Sequence, residues 1–159
     1  MRRKTGVICA LCLGVIFAVS AAWAQTALLP GKSSPQEVVL TRKFAMRSMN
    51  ADLRDIRLKL EKGDVIRVVS PTLSIAAKAQ MLPLVFEHRY ENVYPVEGSD
   101  KFFKGADPAK FQAAAEYLNA QAQKFLRIAS DNDLKKADQH LNRVKKACRS
   151  CHSENRGEY

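Results

Sequence analysis

The stretch that decides the fold is Asp133-Leu134-Lys135-Lys136-Ala137-Asp138-Gln139-His140-Leu141-Asn142-Arg143-Val144-Lys145-Lys146-Ala147-Cys148-Arg149-Ser150-Cys151-His152. Leu134, Leu141 and Cys148 stand seven residues apart, and so do Ala137, Val144 and Cys151. Two interleaved rows of this period make one stripe on a helix that packs against other helices. Asp131-Asn132-Asp133 breaks the preceding segment and supplies a cap. The two cysteines therefore fall in the row expected to face the interior.

Cys148-Arg149-Ser150-Cys151-His152 is C-x-x-C-H, the attachment signature of c-type haem. A two-residue gap on a helix puts both sulfurs on one side, about one turn apart, ready to form two thioether bonds. The adjacent His152 can then give a nitrogen to the iron as proximal ligand. Two rival readings stand beside this one. A structural zinc site wants four ligands, and His140 is the nearby candidate to join Cys148, Cys151 and His152. A thioredoxin-like pair belongs near the start of a βαβ unit, whereas this one ends a helical chain.

Upstream, three more helices are predicted. Ser34-Pro35-Gln36-Glu37 combines an N-cap, a proline at the first position and a capping-box glutamate. The helix it opens should run to about Lys62 and stop at Gly63, with Val39, Met46, Met49, Leu53, Ile56 and Leu60 on a heptad seam. Asp64 to Val69 reads as a connection. Ser70-Pro71 begins the second helix, whose expected apolar face is Leu73, Ala76, Ala77, Met81 and Leu84, with Pro83 in its last turn or at a kink. Residues 87–106 form the longest irregular stretch, and His88 at its start reads as a loosely packed histidine. Asp107-Pro108 opens the third helix, with Phe111, Ala114, Leu118, Ala122, Phe125 and Ala129 inward. The expected class is all-α: an up-down-up-down antiparallel four-helix bundle.

The N-terminus has the three parts of a secretory signal: Arg2, Arg3 and Lys4, then apolar Val7 to Val19, then Ala22-Trp23-Ala24 for cleavage. Residues 1–24 are thus expected to be removed, leaving a domain of residues 25–159 in the bacterial periplasm, without stable membrane insertion. An uncleaved anchor is the alternative, because no charge occurs between Lys4 and Lys32. Cys9 and Cys12 lie in the apolar part and would be lost with it. Residues 1–24 hold three of the 26 Lys and Arg residues and none of the 16 Asp and Glu, so cleavage lowers the net charge from +10 to +7. That excess favours a redox partner with an acidic docking surface. Nucleic acid is excluded as a partner on two grounds: an exported chain rarely meets it, and the cations are spread along helices.

With C-x-x-C-H near the end, four helical segments and Arg42-Lys43-Phe44-Ala45-Met46-Arg47 on the first, the chain resembles the class II cytochromes c, the cytochrome c prime family. Leu82-Pro83, Tyr94-Pro95 and Gly98-Ser99 also look like that family's inter-helix loop. The resemblance covers roughly residues 34–157. It implies one covalent haem c, held by Cys148 and Cys151 with iron on His152. It implies that Arg156 packs near the proximal side, although Asn155 stands where the family has an aromatic residue. Met46 matches the distal position, which in the low-spin branch binds iron through sulfur. Met49 could also reach inward, and Met46 as core filler is the bland alternative. The expected function is a single-electron carrier, not an enzyme, with His152 and Met46 as iron ligands. The alternative is a five-coordinate, high-spin protein that binds or sequesters nitric oxide or carbon monoxide. The resemblance further implies a homodimer through the first two helices.

Overall fold

The computed structural model describes residues 34–87, 101–104 and 107–158. The expected export signal over 1–24, His88, Tyr94-Pro95 and Gly98-Ser99 lie outside them. The compact unit runs from Ser34 to Tyr159. Its elements are α1 (Pro35–Glu61), a 3-10 turn (Ile66–Val68), α2 (Val69–Phe86), β1 (Lys101–Phe103), α3 (Pro108–Ser130), α4 (Leu134–Asn155) and β2 (Arg156–Glu158).

Local chemistry sets most of the helix ends. The Ser34 hydroxyl accepts from the Glu37 amide, the Glu37 carboxylate accepts from the Ser34 amide at 2.7 Å, and Pro35 follows the cap. Both orphan donors are thereby satisfied. Asp107 accepts from the Ala109 and Lys110 amides, and Asp133 from the Lys136 amide. After α1 the chain turns at Gly63, whose φ of +72° suits a residue without Cβ. Between α3 and α4, Asn132 takes a φ of +53°, a value Asn tolerates better than most residues.

The four helices form an antiparallel four-helix bundle, as the heptad spacing implies. Helix α2 packs closely on α1 and α3, and α3 on α4, whereas α1 and α4 touch far more sparsely. The core is Val39, Met49, Ile56 and Leu60 of α1, Val65 and Val68 from the turn, and Ile75, Ala76, Ala79 and Leu82 of α2. Helix α3 adds Phe111, Ala115, Leu118, Ala122, Phe125 and Ala129, and α4 adds Ala137, Leu141, Val144 and Ala147.

Expectations for α2, α3 and α4 are corrected. Leu73, Met81 and Leu84 of α2 are exposed, and so is Ala77. Apolar residues surround this helix, so its period alone selects no face. Polar partners select it instead: Lys78 and Ser74 meet Asp52 of α1, and the Asn119 side chain of α3 donates to the Ala76 carbonyl at 2.8 Å. Helix α2 also begins at Val69 without a side-chain cap, because the 3-10 turn runs straight into it. On α3 the inward alanine is Ala115, while Ala114 is only half-buried. On α4 Leu134 is 42% exposed, being the first residue of the helix, and His140 joins the buried face.

The stretch read as irregular also contains β1. It pairs antiparallel with β2, Lys101 opposite Glu158, Phe102 opposite Gly157 and Phe103 opposite Arg156. This three-residue clip lies directly after the C-x-x-C-H end of α4, and the Lys104 amide extends it by donating to the Asn155 carbonyl at 2.8 Å.

Candidate haem-binding site

Helix α4 carries Cys148, Cys151 and His152 in its last two turns. The 3.6-residue period sets the two cysteines on neighbouring positions of one face. Both are half-buried and packed against the margin of the core. Both are free thiols, and burial pushes each above the ordinary thiol value. The Asn155 amide, bonded to the Cys151 carbonyl at 3.0 Å, also points at its sulfur from 3.9 Å. This contact draws the Cys151 thiol partly back down.

His152 is half-buried, and neither ring nitrogen is hydrogen-bonded among the described residues. Burial first, and then the Arg156 charge, lower its imidazole below the ordinary value. A neutral ring with an unengaged nitrogen is the form that binds a metal. Arg156 caps α4 at the first position of β2, and its amide donates to the His152 carbonyl.

The apolar surroundings separate the two methionines. Met49 is 5% exposed and belongs to the core, whereas Met46 sits half-buried at its margin, as the two cysteines do. Leu53, Val69, Phe86, Phe103 and Ile128 are likewise partly buried against the core. Thiols for thioether bonds, a neutral imidazole and an apolar margin are together the donor set and lining that a covalent haem requires.

The zinc alternative loses its fourth ligand. His140 is 3% exposed, its Nε2 donates to the Gln121 carbonyl at 3.0 Å, and its ring lies 5.9 Å from that of Phe125. No group of three or more His, Cys, Asp or Glu residues suited to a metal ion occurs among the described residues. The thioredoxin alternative lacks its βαβ setting, since the described strands form only the terminal clip.

Arg42 is a residue that sequence reasoning quoted without assigning a task. It is 5% exposed, its Nε donates to the Val85 carbonyl at 3.0 Å, and its guanidinium lies 4.8 Å from the Phe86 ring centre and 5.4 Å from that of Phe103. Asn155 and Phe103 were missed. Nothing in a local pattern announces a contact across more than fifty residues.

The profile of the Cytochrome C′ family matches residues 37–156. The chain belongs to that family, a family of haem proteins with covalently attached haem c and its iron. Among solved structures it is similar to a cytochrome c′ described as having an unusual ligand-controlled dimer dissociation. That match has 20% identity and a TM-score of 0.64, and covers 80% of this chain and 100% of the other. It is also similar to cytochrome c′ from Thermochromatium tepidum, with 19% identity and a TM-score of 0.68, over 79% of this chain and 98% of that one. At these identities the likeness establishes the shared fold. No curated protein matches the sequence.

Proposed function

We propose that this c-type cytochrome is an exported, periplasmic single-electron carrier, with haem held by Cys148 and Cys151 and iron ligated by His152 and Met46. Bound haem supplies a one-electron iron couple, and the chain sets its ligands, dielectric and access. The observation that carries the reading is the contrast between the methionines: Met49 is consumed by the core, while Met46 is left partly buried against it, as Cys148 and Cys151 are. A thioether there favours reduced iron and blocks other ligands. His152 keeps a nitrogen free, and Arg156 helps to hold its ring neutral.

Export rests on the signal-like residues 1–24. Docking to an acidic redox partner is supported by Arg143, Lys145, Lys146 and Arg149 of α4, which have no ion pair among the described residues. By contrast, Arg57, Lys59 and Lys78 of α1 and α2 are paired with carboxylates. Association as a homodimer through α1 and α2 is supported by exposed apolar side chains on both, Leu40, Phe44, Leu73, Met81 and Leu84.

The second reading, a high-spin protein that binds nitric oxide or carbon monoxide, draws on the ligand-controlled dimer of the solved relative. Absorption spectra of the purified holoprotein separate the two. The electron-carrier reading expects a low-spin spectrum with the weak far-red band of thioether–iron bonding, abolished in Met46→Ala. Spectra identical in the two proteins, with rapid carbon monoxide binding by both, would favour the gas-binding reading.

A further inference from the structure

The helix that bears His152 and the helix that bears Met46 are the neighbours that pack least closely in the bundle. Something other than direct packing must therefore hold them at a fixed separation, and a continuous set of contacts does so. From Cys151 it passes to Asn155, whose side chain bonds the Cys151 carbonyl at 3.0 Å and whose own carbonyl receives the Lys104 amide at 2.8 Å. Asn155 is 8% exposed, so its amide has little water to turn to. From there the β1–β2 ladder places Phe103 opposite Arg156. The Phe103 ring meets Phe86 of α2 edge-on at 4.8 Å and Phe111 of α3 at 5.0 Å. Arg42 of α1 stands over Phe86 and Phe103, and is anchored to the Val85 carbonyl. Met46 is one helical turn beyond Arg42.

We infer that Phe103 and Asn155 are positioning residues: the β1–β2 clip is a strap that sets the separation of α4, which bears His152, and α1, which bears Met46. This rests on the His152 and Met46 assignment for its ligand consequence, but not for its mechanical one. Breaking a buried side-chain bond or removing a ring from a three-ring cluster loosens what it joins. Here the joined parts are the last turn of α4 and the α1 segment around Arg42. The strap acts through these helices, and neither residue ligates iron.

The test compares Phe103→Ala, Asn155→Ala and Phe103→Tyr holoproteins with the parent, with Leu118→Ala as a core control two turns along α3 from Phe111. Two quantities are read: backbone hydrogen exchange over residues 42–49 and 151–155, and carbon monoxide association with the reduced protein. Phe103→Ala and Asn155→Ala are expected to raise exchange in both segments together and to speed association about tenfold or more. Phe103→Tyr, which keeps the ring, is expected to match the parent. Leu118→Ala is expected to lower the melting temperature without either change. Parental exchange in both strap variants, or the same paired rise in Leu118→Ala, overturns the inference. If Met46→Ala leaves the spectrum unchanged, the ligand assignment fails by itself, and the exchange result alone decides the strap. Should Phe103→Ala fail to mature, Asn155→Ala carries the same comparison.

Discussion

Lys78 of α2 and Asp52 of α1 meet at 2.7 Å, with both side chains largely shielded from water. The same ammonium donates to Ser48 Oγ at 2.6 Å and Ser74 Oγ at 2.7 Å, and the Ser74 hydroxyl donates to Asp52 at 2.9 Å. All three ammonium protons are thereby used. Removing the cation leaves a half-buried carboxylate short of donors, a larger loss than the pair itself is worth. Lys78→Met is expected to cost about 1–3 kcal/mol in denaturant unfolding. A double-mutant cycle with Asp52→Asn should give a coupling of about 1 kcal/mol. Additive effects would show that the two groups act independently.

His140 gives the fold a pH dependence. Its burial lowers the imidazole below its ordinary value, and Lys124 and Arg143 push the same way against the Gln121 carbonyl. The unfolded chain recovers the ordinary value of 6.5 and takes up a proton that the folded state refuses. Stability from this group is therefore complete above about pH 6.5 and declines as pH falls through that value toward the folded one. The melting temperature should drop between pH 7.5 and 5.5, and less so in His140→Gln. An identical pH slope in that variant would remove His140 as the cause.

Gly63 has a φ of +72° and nothing within 4 Å of the place a Cβ would take. The cost of a substitution there is thus conformational. Gly63→Ala is expected to lose about 1 kcal/mol, and Gly63→Asn less, since Asn visits the left-handed region more readily. Equal losses in urea titrations of the two variants would contradict a conformational origin.

The N-cap of α4 offers a comparable check at a helix start. Asp133 accepts from the Lys136 amide at 2.9 Å, and this bond holds its carboxyl below the ordinary value. Asp133→Ala is expected to lower the urea midpoint at pH 7. The stabilisation is present above the ordinary carboxyl value of 3.8 and lost as pH falls through the folded one. Urea unfolding at pH 7 and pH 3 should show the parent and variant converging in acid.

Helix starts written in short-range chemistry were legible in the sequence. Ser34-Pro35-Gln36-Glu37, Asp107-Pro108 and Asp131-Asn132-Asp133 all cap where expected. The α1 seam was legible too, because Val39, Met46, Met49, Leu53, Ile56 and Leu60 keep one heptad register that the exposed Leu40, Phe44 and Leu58 do not share. The α2 face was not, since Leu73, Met81 and Leu84 are as apolar as the residues that are buried, and Lys78 and Asn119 decide between them. The clip was invisible because three residues show no period, and the two strands lie more than fifty residues apart. At the site, Cys148, Cys151 and His152 declare themselves by spacing. Their support by Asn155, Phe103 and Arg42 depends on contacts that only the folded chain brings together.

The central claim is that haem is bonded to α4 through Cys148 and Cys151. The most direct measurement is the mass of the proteolytic fragment containing both cysteines, taken from protein exported by a host able to mature c-type cytochromes. The fragment should be heavier by one haem, with no free thiol at either position. A colourless fragment of bare peptide mass would contradict the account.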